Sequence, residues 1–147
     1  MATETELAEL VKRAFDAPFV AHLGLVSVRW GPGWVETRLP LRPWHLQQTQ
    51  VVHAGVLTSM ADHTAGVAAM TLAPPGHAVV SVEFKVNLLA GAGVEGEAPA
   101  LDCRAEVLRA GRRFSVVEAE IFGTVKGQRT LLFKLLGTMA ALELRAR

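Results

Sequence analysis

The chain has 147 residues, half of them apolar and a fifth charged. That is enough for one domain with its own core, whereas two halves would each be marginal. A formal charge of +1, with no block of like charges, argues against a phosphate backbone as the main partner.

The single cysteine, Cys103, has no internal partner and suits a reducing compartment or a small apolar place in a strand. The five histidines (His22, His45, His53, His63 and His77) show no paired ligand spacing, so no metal is expected. The N-terminus is acidic and lacks a basic region before an apolar run, so no secretory signal is expected. No window of about 18 residues is free of charges and breakers. No membrane span is expected, and the expected location is cytoplasmic.

Thr3 to Ala14 reads as a helix. Thr3 or Thr5 can cap it, with Glu4, Glu6 and Glu9 at its positive end and Lys12 and Arg13 at its negative end. Leu7, Leu10, Val11 and Phe15 form its apolar stripe, as in a covering helix. Pro18 marks its end. From His22 to Leu41 the pattern alternates, and Gly31 to Gly33 supply the reversal of a two-strand hairpin. An irregular stretch holding Pro43 follows.

Gln50 to Met70 reads as one long helix, stopped by Ala73-Pro74-Pro75-Gly76. From His77 to Leu89 the pattern is strand-like, and Ala90 to Ala98 is a loop. Three long alternating strands then run from Leu101 to Leu142, with turns at Ala110-Gly111 and Lys126-Gly127. Leu101, Cys103, Ala105 and Val107 share one face, and Asp102, Arg104 and Glu106 the other, as in a sheet packed on one side. The order is short helix, two strands, long helix, four strands. It describes an α+β fold with an antiparallel sheet of about six strands around one long central helix.

The long helix carries the chemical interest. Val56, Met60, His63, Val67 and Met70 form one stripe, and Leu57, Ala61, Thr64, Ala68 and Thr71 a second. The third is Gly55, Ser59, Asp62, Gly66 and Ala69. A helix apolar nearly all round is a buried helix. Asp62 then sits between residues with almost no side chain. Burying an unpaired carboxylate costs on the order of several kcal/mol. Asp62 is therefore paired, with Arg104 or Arg113 as candidates, or hydrated, or functional. His63, in the Met and Val stripe, reads as a satisfied core residue.

Ala54 and Gly55 leave the start of the helix open, with backbone N–H groups at the positive end of its dipole. Such a start is either plain close packing or a site for a carbonyl oxygen gaining negative charge. Asp62 lies about two turns on, roughly 10–12 Å along the axis. That is too far for one helix to hold both sides of one carbonyl, but a symmetric dimer could face the helix start of one copy with the Asp of the other.

The stretch HAGVLTSMADHTAG, from His53 to Gly66, resembles the signature of hotdog-fold acyl-CoA thioesterases of the phenylacetic-acid-degradation (PaaI) type. The resemblance spans about His22 to Leu142 and includes the strand segment that begins VVSVEFKVNLL. It implies a single hotdog domain over residues 1–147, with an N-terminal helix in 1–18 and the core in 22–142. It also implies hydrolysis of an acyl-CoA, aryl or short to medium chain, to free acid and coenzyme A. No cofactor is implied, since coenzyme A is part of the substrate. A homodimer is implied, and a homotetramer as a dimer of dimers.

Residue by residue, the family's helix carboxylate falls on Asp62 as base or nucleophile. The N–H that polarises the thioester carbonyl falls on Ala54. The Asn or Gln before the motif falls on Gln47, orienting substrate or water, and the Ser or Thr that positions the water falls on Ser81. His53 holds the helix start. Gly55 and Thr58 fall on the substrate side, and Leu57, Thr58 and Phe84 would line the acyl pocket. Basic residues near the tunnel mouth would meet the nucleotide, with Lys85, Arg109, Arg112 and Arg113 as candidates.

Two departures stand out. Ala54 replaces the first Gly of the family's pair, keeping the N–H but adding a methyl group. Gln47 stands where Asn is commoner. Two rival readings are a hotdog hydratase or dehydratase, whose acid and His pattern this chain lacks, and a non-catalytic acyl-CoA binding module.

Overall fold

The computed structural model describes residues 2–144. Met1 and residues 145–147, the ends of the expected domain, lie outside the described residues.

Helix α1 spans Glu4–Phe15 and is capped by Thr3, whose side chain accepts the Glu6 N–H while the Glu6 carboxylate takes the Thr3 N–H. This capping box fixes the start of a helix whose Leu7, Val11 and Phe15 are buried. A second, short helix, α2, spans Pro18–Leu23. The sequence reading began the strand region at His22 and did not separate this helix. Its signals are present: Pro18 at the first position, and Gly24 after the end at φ 88°, a left-handed cap that favours glycine.

Strands β1 (Val26–Gly31) and β2 (Trp34–Pro40) form the expected hairpin. A short 3₁₀ turn covers Pro43–His45. The long helix α3 spans Ala54–Met70. Strands β3 (His77–Leu88), β4 (Ala100–Ala110), β5 (Phe114–Val125) and β6 (Gln128–Glu143) complete one antiparallel sheet in the order β1-β2-β4-β5-β6-β3.

Helix α3 starts later than the expected Gln50. Gln50 has φ 65°, and Leu46 bridges Val52 in antiparallel fashion. The His53 N–H goes to the His45 carbonyl at 2.9 Å. Residues 45–53 therefore double back on themselves, and β-branched Val51 and Val52 serve this return rather than a helical turn.

The sheet curls around α3 because both surfaces are small. Ala61, Ala65, Ala68 and Ala69 on the helix are buried, as are Ala105 and Ala119 on the sheet. Larger residues, among them Met60, Leu101, Ile121, Phe133 and Leu135, fill the space left. Thr64 donates its hydroxyl proton to the Met60 carbonyl at 2.7 Å, so Thr37 on β2 donates to Thr64 at 2.8 Å. This buried pair fixes the rotation of α3 against the sheet. Asp62, two residues back and about 200° around the axis, then faces away from the sheet centre. No described helix is long and apolar enough to cross a membrane.

Candidate active site

Asp62 is half-buried, and its partner is neither of the arginines weighed from sequence. Arg104 pairs with Glu36 and Glu106 on the outer face of the sheet, and Arg113 lies over the Phe114 ring at 5.7 Å. Ser81 of β3 instead donates its hydroxyl to Asp62 Oδ1 at 2.5 Å. A hydroxyl that donates to one carboxylate oxygen leaves the second free to accept from water.

A bulge makes this pairing possible. Ser81 faces Met139 and Glu83 faces Thr138, so Val82 is the extra residue. Before the bulge, Val79 and Ser81 point toward α3. After it, Phe84 does, resting against Gly137, where an added Cβ would come within 2.9 Å of the Phe84 Cβ. Without the bulge, strict alternation would turn Glu83 and Lys85 inward. Bulges of this kind re-aim side chains beside functional sites.

At the other end of α3, His53 is the N-cap, and its Nδ1 accepts the Gly55 N–H at 2.8 Å. A Cβ on residue 55 would meet that nitrogen at 3.0 Å, so Gly55 lets the imidazole close over the helix start. The expectation of two free N–H groups is thereby corrected: Gly55 spends its N–H on His53. Val56 and Leu57 donate to the His53 carbonyl. Among the described residues nothing accepts the Ala54 N–H, which is left as the one donor of the first turn.

Gln47 is held in the doubled-back segment. Its backbone N–H goes to the Val51 carbonyl at 2.8 Å, and its side-chain amide donates to Thr49 at 2.7 Å. It shares the end of the molecule that holds Ala54. Thr58 is half-buried on α3, Leu57 is buried, and Phe84 is exposed on the inner face of β3. Lys85 lies on the outer face of β3, near Asn87, away from Asp62 of the same chain. Arg112 borders a small gap at the C-terminal end of α3 with Ala69, Leu72, Val79 and Met139.

One chain therefore gathers Asp62 with Ser81, and His53 with Gly55, Ala54 and Gln47, but keeps the two groups apart. Asp62 lies eight helical steps after Ala54, about 12 Å along the axis.

His63 departs from expectation. It is half-buried, with Phe15 packed edge-on at 5.0 Å, and its Nε2 is shut off from solvent without a hydrogen-bond partner. Burial pushes the imidazole below its usual value, while the nearby Ala14 carbonyl, out of hydrogen-bonding geometry with Nε2, and the Asp62 carboxylate pull the other way. The sequence offered no sign of this, because the orphaned nitrogen depends on where α1 lands. Among the described residues no group of His, Cys, Asp and Glu is gathered to hold a metal.

A sheet rolled around one helix, with an acid on the helix and a hydroxyl from the edge strand against it, defines a hotdog-fold domain of thioesterase type. The chain belongs to the thioesterase superfamily: the family model of that description matches residues 49–127. Among solved structures, a thioesterase family protein from Silicibacter pomeroyi is 34% identical, with 93% of this chain and 98% of that one covered at a TM-score of 0.85. A conserved protein of Pseudomonas aeruginosa is 32% identical, with 89% and 98% covered and a TM-score of 0.77. The PaaI protein of the phenylacetic acid degradation operon of E. coli shares the fold at 18% identity, with 96% of each chain covered and a TM-score of 0.83. No curated protein matches the chain.

Proposed function

We propose that the protein is an acyl-CoA thioesterase that works as a homodimer. The observation that carries this reading is the Asp62–Ser81 pair on an open helix face, with an unclaimed Ala54 N–H about 12 Å away on the same helix. Two copies related by a two-fold axis would bring the Ala54 of one against the Asp62 of the other.

The edge strand supports a partner. β3 is the last strand of the sheet, 12 residues long, and its residues Val80 to Lys85 are all exposed, with apolar Val80, Val82 and Phe84 among them. A long apolar edge left bare is an invitation to pair with another strand. The outer face of the sheet also keeps Phe114, Val116 and Leu136 exposed, a seam on which two dimers would meet.

In the reaction, the Ala54 N–H donates to the carbonyl oxygen of the thioester as negative charge builds on it. Asp62 takes a proton from water, which adds to the carbonyl carbon, or adds there itself and is released by water. The C–S bond breaks, and the departing coenzyme A thiolate takes up the proton that the water gives, from Asp62 in the first route and on cleavage of the acyl-Asp62 anhydride in the second. Ser81 holds the Asp62 carboxylate in one orientation. Gln47 lies on the side of the incoming thioester.

The test is release of free thiol from a panel of aryl and straight-chain acyl-CoA esters, by wild type and by Asp62→Asn. Wild type hydrolyses members of the panel, and the variant loses about 10²–10⁴ in kcat, the contribution of a positioned base. Hydrolysis by Asp62→Asn at the wild-type rate would sink the assignment. Hydration of crotonyl-CoA without thiol release would instead point to a hydratase.

A further inference from the structure

We propose that the acyl group of the substrate is an unbranched apolar chain of medium length, threaded from Asp62 along α3 into a cleft beneath α1. This rests on the thioesterase reading above and names its substrate class.

The cleft lies between α1 and the link from α3 to β3. It has a volume of about 630 Å³, and its walls include Leu7, Leu10, Met70, Leu72, Pro74 and His77. Glu6 also borders it but turns its carboxylate to Thr3. An apolar cleft of this size on one chain is room for an apolar ligand.

Two antiparallel elements lead into it from the catalytic pair. On α3, Gly66 is one turn beyond Asp62 and Met70 one turn further. An added Cβ at Gly66 would meet nothing of its own chain within 4 Å, so its own chain leaves the way past it open. On β3, Ser81 stands beside Asp62 and His77 stands at the cleft. The two routes agree in length: eight helical residues cover about 12 Å, and four strand residues about 13 Å. With C–C bonds of about 1.5 Å along a zigzag, that span holds a chain of roughly ten carbons.

The occupant is argued from this continuity. A ligand whose carbonyl sits at Asp62 has only apolar atoms to place along Gly66 and Met70, and α1 lies over the far end as a lid. The N-terminal helix then does more than cover α3: its Leu7 and Leu10 become walls for the end of the chain.

The experiment is kcat/KM for a series from acetyl- to dodecanoyl-CoA, on wild type, Gly66→Leu and Leu10→Gln. In wild type, each added methylene raises kcat/KM by about fourfold up to roughly ten carbons, after which the rise stops. Gly66→Leu blocks the path, and Leu is the better helix former, so the helix is kept. Its ratio of decanoyl to butyryl kcat/KM falls at least tenfold. Leu10→Gln, at the far wall, lowers the dodecanoyl to butyryl ratio while the hexanoyl to butyryl ratio stays that of wild type. A wild type that hydrolyses butyryl-CoA but shows a flat chain-length profile overturns the proposal alone. So do variants that keep the wild-type ratios. A wild type that hydrolyses no acyl-CoA overturns the thioesterase reading and the proposal together.

Discussion

Replacing Ala54 with proline separates chemistry from folding at one atom. Ala54 is the first residue of α3, and His53 before it is extended, at φ −63° and ψ 137°. Proline is well suited to the first helical position, where its missing N–H is one of the helix's orphans. Its preceding residue must be extended, as His53 already is. The substitution therefore deletes one N–H that no described residue uses, and leaves the His53 cap on Gly55 in place. Stability should hold or rise by about 0.4–1 kcal/mol, since proline restricts the unfolded chain. If that N–H receives the thioester oxygen, kcat should fall by about 10²–10³, some 2.7–4 kcal/mol of transition-state stabilisation. The assay is thiol release at saturating acyl-CoA, beside a thermal melt of the same preparation. A folded Ala54→Pro protein with kcat within about threefold of wild type would refute the reasoning. A collapsed melting temperature would show that the N–H has a structural partner after all.

His63 should make folding stability sensitive to acid. The folded state resists protonating this half-buried ring, whose Nε2 is shut off from solvent, while the unfolded chain takes up its proton below about pH 6.5. Stability is then full above pH 6.5 and falls as the pH drops below it. Denaturant unfolding from pH 7.5 to 5 should show a shallower acid loss for His63→Leu than for wild type, and equal slopes would count against this role. His45 is also lowered, by burial first, and adds to the wild-type slope in the same direction. Cys103 is buried and its thiol is pushed up to about 12, chiefly by burial. It should resist iodoacetamide at pH 8 in the native protein and react on unfolding, as read by mass spectrometry. Rapid labelling of the native chain would contradict its placement.

The general architecture was legible because each element carries its own signal. The capping residues of α1, the glycines around Pro32, the Pro74-Pro75-Gly76 stop and the alternation of β4 to β6 are local chemistry. What was missed is local chemistry overridden, or contacts between distant elements. Val51 and Val52 sit next to a helical pattern, and only the return of His53 to the His45 carbonyl shows that they precede the helix. The run from Val79 to Val86 alternates well enough to hide the bulge at Val82, which becomes visible when Ser81 and Glu83 are set against β6. Within the site, Asp62 drew attention as an acid among small residues, and Gly66 as part of the same open stripe. The roles of Ser81 and Gln47 came from family resemblance, because no spacing rule joins residues 19 positions apart on different elements. The same limit hid the lone nitrogen of His63.

The central claim is that each active site takes its acid from one copy and its amide donor from the other. Co-expression of Asp62→Ala and Ala54→Pro chains, each inactive alone, tests it directly. Random pairing makes half of the dimers mixed, and each mixed dimer rebuilds one intact site of two, so the mixture should show about a quarter of wild-type activity. Activity no higher than that of the two parents, in a preparation shown by mass spectrometry to contain mixed dimers, would contradict the shared site.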